Sequence, residues 1–338
     1  MSFVNNIQII RKLTLIKLIN AIKIWVSFHI SKSIKTPFSK GFPISMAIEP
    51  TTSCNLRCPE CPSGLRQFTR PIGMLEPIFF KKTINEVYKE LIYLTFYFQG
   101  EPYLNPNFLE MVRYASDKGI YTSTSTNAHY LNPEQAKKTV ESKLDRLIIS
   151  IDGTTQETSE QYRIGGSLQK VIEGTKNIIQ AKKSLGSQTP HIVFQFLVVK
   201  PNEHQLEDVK KLAKELGVNE VVFKTAQVYD FEKGNPLIPD NIKYSRYQKK
   251  SDGTYSIKNK LLNQCWRMWS SCVITWDGIV VPCCFDKDAK HQLGDLKNEH
   301  FKILWNSEKY QSFRQSLLKS RQEIDICKNC SEGTKVLA

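Results

Sequence analysis

The stretch Ser45-Met-Ala-Ile-Glu-Pro-Thr-Thr-Ser-Cys-Asn-Leu-Arg-Cys-Pro-Glu-Cys-Pro62 opens with a short β-branched and apolar run. It then places Cys54, Cys58 and Cys61 on one loop, spaced C-x3-C-x2-C. Three thiolates that close together can hold three corners of an iron–sulfur cube and leave the fourth iron open. Electron-transfer clusters usually fill all four corners with cysteine. An open iron admits a small molecule, which turns a redox centre into a catalytic one. Structural zinc would want four ligands in tetrahedral closure, and the first 264 residues offer no fourth cysteine.

Outward from this loop, β-branched or aromatic runs alternate with helical segments. Strands are expected at 45–49, 92–98, 120–125, 144–151, 190–199 and 219–224. Helices are expected near 76–90, 106–117, 133–142, 168–184 and 204–216. Asn132-Pro-Glu-Gln and Asn202-Glu-His-Gln-Leu read as helix starts, with Asn at the cap and acid in the first turn. Such alternation predicts a parallel sheet, open or curled into a partial barrel, with ligands at the carboxyl ends of the strands. The cysteine loop follows the first strand on that face.

Residues 226–260 are polar and rich in turn formers, as expected of a linker or irregular excursion. Beyond them, Ser271-Cys-Val-Ile-Thr-Trp276 and Ile279-Val-Val-Pro-Cys-Cys284 flank Asp277-Gly278, a strong hairpin signal. A helix is expected over 299–322, and Cys327-Lys-Asn-Cys330 follows it.

The chain of 338 residues is 41% hydrophobic and 24% charged, values of a folded globular protein with room for a large core. Its nine cysteines fall in two groups: three at 54–61 and six at 265, 272, 283, 284, 327 and 330. An odd count with C-x2-C spacings argues against a secreted disulfide framework and for metal or cluster ligation in a reducing cytoplasm. The net charge is +14, and seven cations precede the first acid, Glu49. Charge alone is a weak argument for nucleic acid, and none is expected as a partner.

Within 13–30, Lys17 and Lys23 interrupt the apolar run, so a spanning helix is not expected; nor is a secretory signal, since no small-residue cleavage site follows. As a helix, this segment gathers Leu15, Leu18, Ile19, Ile22, Trp25 and Val26 on one face. Lys17, Asn20, Ser27 and Ser31 lie opposite, with Ile24 breaking the pattern. Packing on the protein body is the first expectation. Peripheral contact of residues 8–30 with an anionic membrane surface is the second, and a partner helix the third.

The triplet resembles the signature of the radical S-adenosylmethionine (radical SAM) enzymes, and the resemblance extends past three cysteines. In that family the open iron chelates S-adenosylmethionine, which is cleaved reductively to methionine and a 5′-deoxyadenosyl radical. Phe98-Gln-Gly-Glu-Pro102 resembles the family's G-G-E-P motif, which implies that Gly100 and Glu101 contact the methionine amino group. Gln99 stands where a first glycine is usual. Thr126-Asn127 and Ser150-Ile-Asp-Gly153 resemble positions that touch ribose or methionine, implicating Thr126, Asn127, Ser150 and Asp152; simple turn roles are the alternative. Tyr162-Arg-Ile-Gly-Gly166 places Arg163 where relatives hold the cofactor carboxylate, a bidentate task suited to guanidinium. Gln195 and Lys224 are candidates for the barrel interior. Glu60 departs from the aromatic residue common before the third cysteine, so the adenine contact is expected elsewhere.

Cys265, Gly278, Cys283, the turn Gly294-Asp-Leu296 and Cys327-x2-Cys330 resemble the SPASM domain, an auxiliary iron–sulfur extension of such enzymes. Longer versions hold two clusters; one is expected here, ligated by Cys265, Cys283, Cys327 and Cys330. Cys284 should point away from Cys283 across the strand. Cys272 is either a ligand or a small buried apolar group. Zinc on the same four thiolates is the rival.

The resemblance thus implies a partial (β/α)6 TIM-like barrel with a small C-terminal β-hairpin/helix iron–sulfur domain. The divisions are a basic amphipathic N-terminal helix at 1–44, a core at 45–225, a linker at 226–260 and the SPASM-like part at 261–338. Implied cofactors are S-adenosylmethionine, a [4Fe-4S] cluster that binds it, and an auxiliary [4Fe-4S] cluster. The expected activity is hydrogen abstraction within a two-electron oxidation, on a small-molecule or peptide substrate. An external donor such as flavodoxin or ferredoxin would supply electrons. Peptide epimerisation or thioether formation is the alternative within enzymes, and a non-catalytic iron–sulfur carrier the alternative outside them.

Overall fold

The computed structural model describes residues 3–258 and 260–331. Six strands run parallel in chain order: β1 (Ser45–Ile48), β2 (Tyr93–Thr95), β3 (Tyr121–Thr126), β4 (Arg146–Ser150), β5 (His191–Val198) and β6 (Glu220–Thr225). Helices α1 (Phe3–Arg11) and α2 (Leu15–Ile34) precede them. Short α3 (Pro62–Leu65) and α4 (Pro77–Val87) follow β1. The later crossovers carry α5 (Phe108–Asp117), α6 (Pro133–Glu141), α7 (Gln156–Glu160) with α8 (Leu168–Ser184), and α9 (Leu206–Leu216). Parallel strands covered by helices are apolar on both faces, and β4 (Arg-Leu-Ile-Ile-Ser) is buried throughout. Phe80, Phe96, Phe108, Phe194 and Phe196 fill the layer between sheet and helices. The Asn132 side chain accepts the Gln135 N–H at 2.9 Å to start α6, as its sequence implied.

Three features were not foreseen. First, the stretch expected as a linker carries an antiparallel hairpin of β7 (Tyr247–Lys249) and β8 (Tyr255–Ile257). Tyr247 stacks on Phe231 there, with ring centroids 4.5 Å apart. Second, β9 (Ser271–Ile274) pairs parallel to β1 and antiparallel to β10 (Ile279–Val281), which pairs with β11 (Gly294–Asp295). The late hairpin therefore extends the barrel sheet into the order β11-β10-β9-β1-β2-β3-β4-β5-β6. α10 (Arg267–Ser270) leads into β9, and the expected long helix is broken into α11 (Phe301–Leu304) and α12 (Glu308–Ser320). Ser307 starts the second piece by accepting the Tyr310 N–H at 3.3 Å.

Third, α2 packs on the body, but by the face opposite to the apolar one. Lys17, Asn20, Ile24, Ser27 and Ser31 are its buried residues. The loops entering the strands expose carbonyl groups there, and buried carbonyls need donors. Lys17 Nζ donates to Gly119 O at 2.6 Å and Asn20 Nδ2 to Phe42 O at 2.8 Å. Ser31 Oγ donates to Phe38 O at 2.9 Å. Helix α2 thus crosses the amino ends of the strands, beneath the barrel floor.

Candidate active site

At the opposite, carboxyl end of the strands, the cysteine loop closes on itself. Cys61 forms the cap of α3, with the Leu65 N–H donating to Cys61 O at 2.8 Å. Gly64 packs so tightly that a Cβ there would lie 2.6 Å from Cys58 N and 2.7 Å from Cys58 O. At Gly100, with φ +76°, a Cβ would sit 2.2 Å from Thr51 O and 2.8 Å from Ser53 O. The Gly100 N–H donates to Ser63 Oγ at 2.9 Å and the Glu101 N–H to Ser53 O at 2.7 Å. The Gly-Glu-Pro turn is thereby fastened to the cysteine loop. Gln99 lies against the loop with Oε1 3.9 Å from Cys61 Sγ.

Cys54, Cys58, Cys61, Gly100, Glu101, Thr126, Asn127, Ser150 and Arg163 all line one cavity of about 270 Å3. Sequence positions more than a hundred residues apart meet there because each follows, or ends, a strand of the parallel sheet. Glu101 bridges β2 to β3: its carboxylate accepts Thr126 Oγ1 at 2.8 Å, the Asn127 N–H at 2.8 Å and the Tyr103 N–H at 3.3 Å. Burial outweighs these hydrogen bonds and raises its pKa to about 7. Asn127 Nδ2 donates to Asn55 Oδ1 at 2.8 Å, tying the end of β3 to the cysteine loop.

Asp152 is the exception. It is fully buried and absent from the cavity wall, with both carboxylate oxygens engaged. Oδ1 accepts the Leu197 N–H at 2.7 Å and Oδ2 accepts Arg163 Nε at 2.5 Å. In this arrangement Asp152 forms a strut behind Arg163. Arg163 Nη1 approaches Cys58 Sγ at 3.9 Å. Burial alone would lower the Arg163 pKa, but the negative charge of Asp152, followed by Cys58, more than reverses it. The same burial raises the thiol of Cys54 to about 11, and raises Cys58 against the pull of Arg163.

Sequence reasoning missed Ser63, Asn55 and Lys287. Lys287 reaches this cavity from the segment after β10, and no local motif announces it. Glu60 lines the cavity edge and accepts the Tyr229 N–H at 3.0 Å, joining the loop to the 226–231 segment. Tyr97, Phe98 and Tyr162 are the aromatic residues of the wall.

A second cavity of about 570 Å3 occupies the barrel interior. Tyr97, Phe98 and Gln195 line both, so the two spaces share a wall. Lys224 faces this interior, together with Tyr93, Arg146, Glu220 and Arg267.

Four of the late cysteines gather in one place, and Cys283 among them also borders the barrel cavity. Cys265, Cys283, Cys327 and Cys330 line one small hollow between α10 and the chain end, walled by Met268, Phe285, Phe313 and Leu317. Arg321, buried beside it, donates from Nη2 to Cys330 Sγ at 3.2 Å. Cys327 is pushed up to about 12 by burial, against the opposing charge of Arg321. Cys272 instead sits in the main core, and exposed Cys284 lines the barrel cavity. All nine thiols are free of disulfides. Among the described residues no three His, Cys, Asp or Glu side chains close on a single point as the ligands of one ion would; the thiols surround hollows. Three thiols beside an open cavity suit a cluster with a vacant iron, and four around an apolar hollow suit a fully ligated one.

Residues 48–216 match the family model of the radical SAM superfamily, and residues 265–331 match SPASM, an iron–sulfur cluster-binding domain. The chain is 26% identical over 311 residues to the tungsten-containing aldehyde ferredoxin oxidoreductase cofactor-modifying protein of Pyrococcus furiosus, covering 84% of this chain and 86% of that protein. It is 31% identical over 179 residues to the AdoMet-dependent heme synthase of Methanosarcina barkeri, covering 52% and 48%. It is 30% identical over 175 residues to the mycofactocin maturase MftC of Mycobacterium ulcerans, covering 52% and 45%. In fold it resembles BtrN in complex with AdoMet and 2-DOIA, with TM-score 0.53 and 19% identity over 88% of this chain and 95% of that one. It also resembles anSMEcpe with bound AdoMet and a Cp18Cys peptide, with TM-score 0.61 and 19% identity over 87% and 89%. The chain therefore belongs to the radical SAM superfamily and carries a SPASM iron–sulfur domain.

Proposed function

We propose that this radical SAM protein is an oxidoreductase that abstracts a substrate hydrogen in a two-electron oxidation. The family's cofactors are a [4Fe-4S] cluster with S-adenosylmethionine, and its SPASM domain implies further iron–sulfur ligation. When bound, they supply a 5′-deoxyadenosyl radical and an acceptor for one electron. The observation that carries the reading is the meeting of Cys54, Cys58 and Cys61 with Gly100, Glu101, Thr126, Asn127, Ser150 and Arg163 around one cavity.

Each side chain has a defined task in this reading. Cys54, Cys58 and Cys61 hold three irons. Arg163, aimed by Asp152, holds the cofactor carboxylate. Gly100 lets the motif backbone approach the loop, and Glu101 keeps the ends of β2 and β3 in register with it. Gln195 lies at the wall shared with the barrel cavity, where a small substrate fits. Cys265, Cys283, Cys327 and Cys330 hold the second cluster, and Arg321 offsets its negative charge. A flavodoxin or ferredoxin is the proposed electron donor.

A peptide substrate is the second reading. A cleft of about 650 Å3 between the 226–231 and 285–290 segments shares Glu60 and Lys287 with the cofactor cavity. It offers an extended chain a path to the site, and maturases are among the relatives. The reconstituted protein, kept anaerobic with dithionite and S-adenosylmethionine, should form 5′-deoxyadenosine. None at full iron content would reject both readings in favour of a carrier.

A further inference from the structure

Among the described residues, nine of the twenty exposed large hydrophobic side chains lie between Ile10 and Ile34. Leu15 is 73% exposed, Ile22 62% and Trp25 57%, with Leu18, Ile19 and Val26 beside them. This is the apolar face of α2, turned outward because its polar face serves the barrel floor. At about 100° per residue, these side chains form one stripe along the helix. Exposed Lys23 and Lys32 fall on its two borders, each roughly a quarter-turn from its centre. Arg11, Lys35 and Lys40 are also exposed close to its ends, and no acid occurs before Glu49.

We infer that α2 is a membrane-docking helix that lays this face into the surface of an anionic lipid bilayer. An apolar stripe bordered by cations matches the acyl boundary and the phosphate headgroups above it. A protein groove would need only the stripe; the cationic border adds complementarity to a uniformly negative surface. Among the described residues no helix is long and apolar enough to cross a membrane, so the helix lies in the interface. It runs under the amino ends of the strands, and the active-site cavity opens at their carboxyl ends. The docked protein therefore holds its catalytic mouth away from the lipid, where soluble substrate and electron donor reach it. This inference is independent of the reaction performed.

The test is sedimentation of the full reconstituted chain with vesicles of phosphatidylcholine containing phosphatidylglycerol, and with phosphatidylcholine alone. Binding is expected to the mixed vesicles, to weaken with salt, and to fall about tenfold or more in Ile22→Glu/Trp25→Glu. Lys23→Glu/Lys32→Glu should also weaken it. Both variants should keep the wild-type circular dichroism and rate of S-adenosylmethionine cleavage, because none of these side chains touches the site. Wild-type protein that stays in solution with anionic vesicles, or an Ile22→Glu/Trp25→Glu variant that sediments equally, overturns the proposal. So does a soluble dimer that this variant converts to monomer without any lipid binding by wild type, which would assign the face to a second copy.

Discussion

Arg163 and Asp152 show what a side chain's second neighbour decides. Asp152 follows β4 and Arg163 lies just beyond α7, yet Arg163 reaches the cavity while Asp152 is consumed by Leu197 N–H and the guanidinium. Arg163→Lys keeps the charge but loses the planar fork, so the KM for S-adenosylmethionine should rise roughly tenfold with little change in kcat. Asp152→Asn should raise KM in the same direction by freeing the guanidinium, and the double variant should fall short of the product of the two effects. At Gly100, φ +76° and two carbonyls within 2.8 Å of any Cβ leave no room for alanine. Gly100→Ala should therefore cost about 2–3 kcal/mol in a denaturant melt and lower the iron retained by Cys54, Cys58 and Cys61. Cys272→Ala and Cys284→Ser should leave iron content unchanged, because these thiols lie outside the four-cysteine hollow. Gly100 and Arg163 were legible because their motifs fix them locally. Asp152's duty was not, since it depends on a backbone N–H forty-five residues further on.

Among the elements, the cysteine loop is held at its far end by Arg70. That side chain forks onto Glu49, the residue after β1, at 2.8 and 2.6 Å, and Nε donates to Lys287 O at 3.0 Å. The pair is buried, with Glu49 fully enclosed. Arg70→Ala strands that carboxylate and should destabilise the fold by about 3–5 kcal/mol, read as a lower denaturant midpoint. Helix α2 offers a pH signature. Burial, then the charge of Lys12, lowers the Lys17 pKa from 10.5 to about 8. The folded chain thus binds this proton less tightly than the unfolded one, and stability should gain as pH rises from about 8 towards 10.5. Lys17→Met should flatten that slope. The strands and helices were legible because β-branched runs, periodicity and caps are local signals. The facing of α2 was not: amphipathicity predicts the apolar side inward, and only the assembled floor shows the carbonyls that claim its polar side. The pairing of β9 with β1 escaped for a like reason, because partners more than two hundred residues apart leave no local trace.

At the scale of the molecule, one continuous sheet places the cysteine loop after β1 and Cys283 after β10. The cofactor cavity and barrel interior share Tyr97, Phe98 and Gln195, and Cys283 lies between the barrel interior and the four-cysteine hollow. Under the proposed function, a substrate in the barrel would have the radical source on one side and an electron sink on the other, the arrangement a two-electron oxidation needs. The division of labour between the two thiol sets is the central claim. It is tested by measuring iron and 5′-deoxyadenosine together in anaerobically reconstituted wild type, in Cys54→Ala/Cys58→Ala/Cys61→Ala, and in Cys265→Ala/Cys283→Ala/Cys327→Ala/Cys330→Ala. The account predicts about eight irons in wild type and about four in each variant, with 5′-deoxyadenosine lost in the first variant alone. Wild type loaded with iron yet silent, or cleavage that survives loss of the first three thiols, would contradict it.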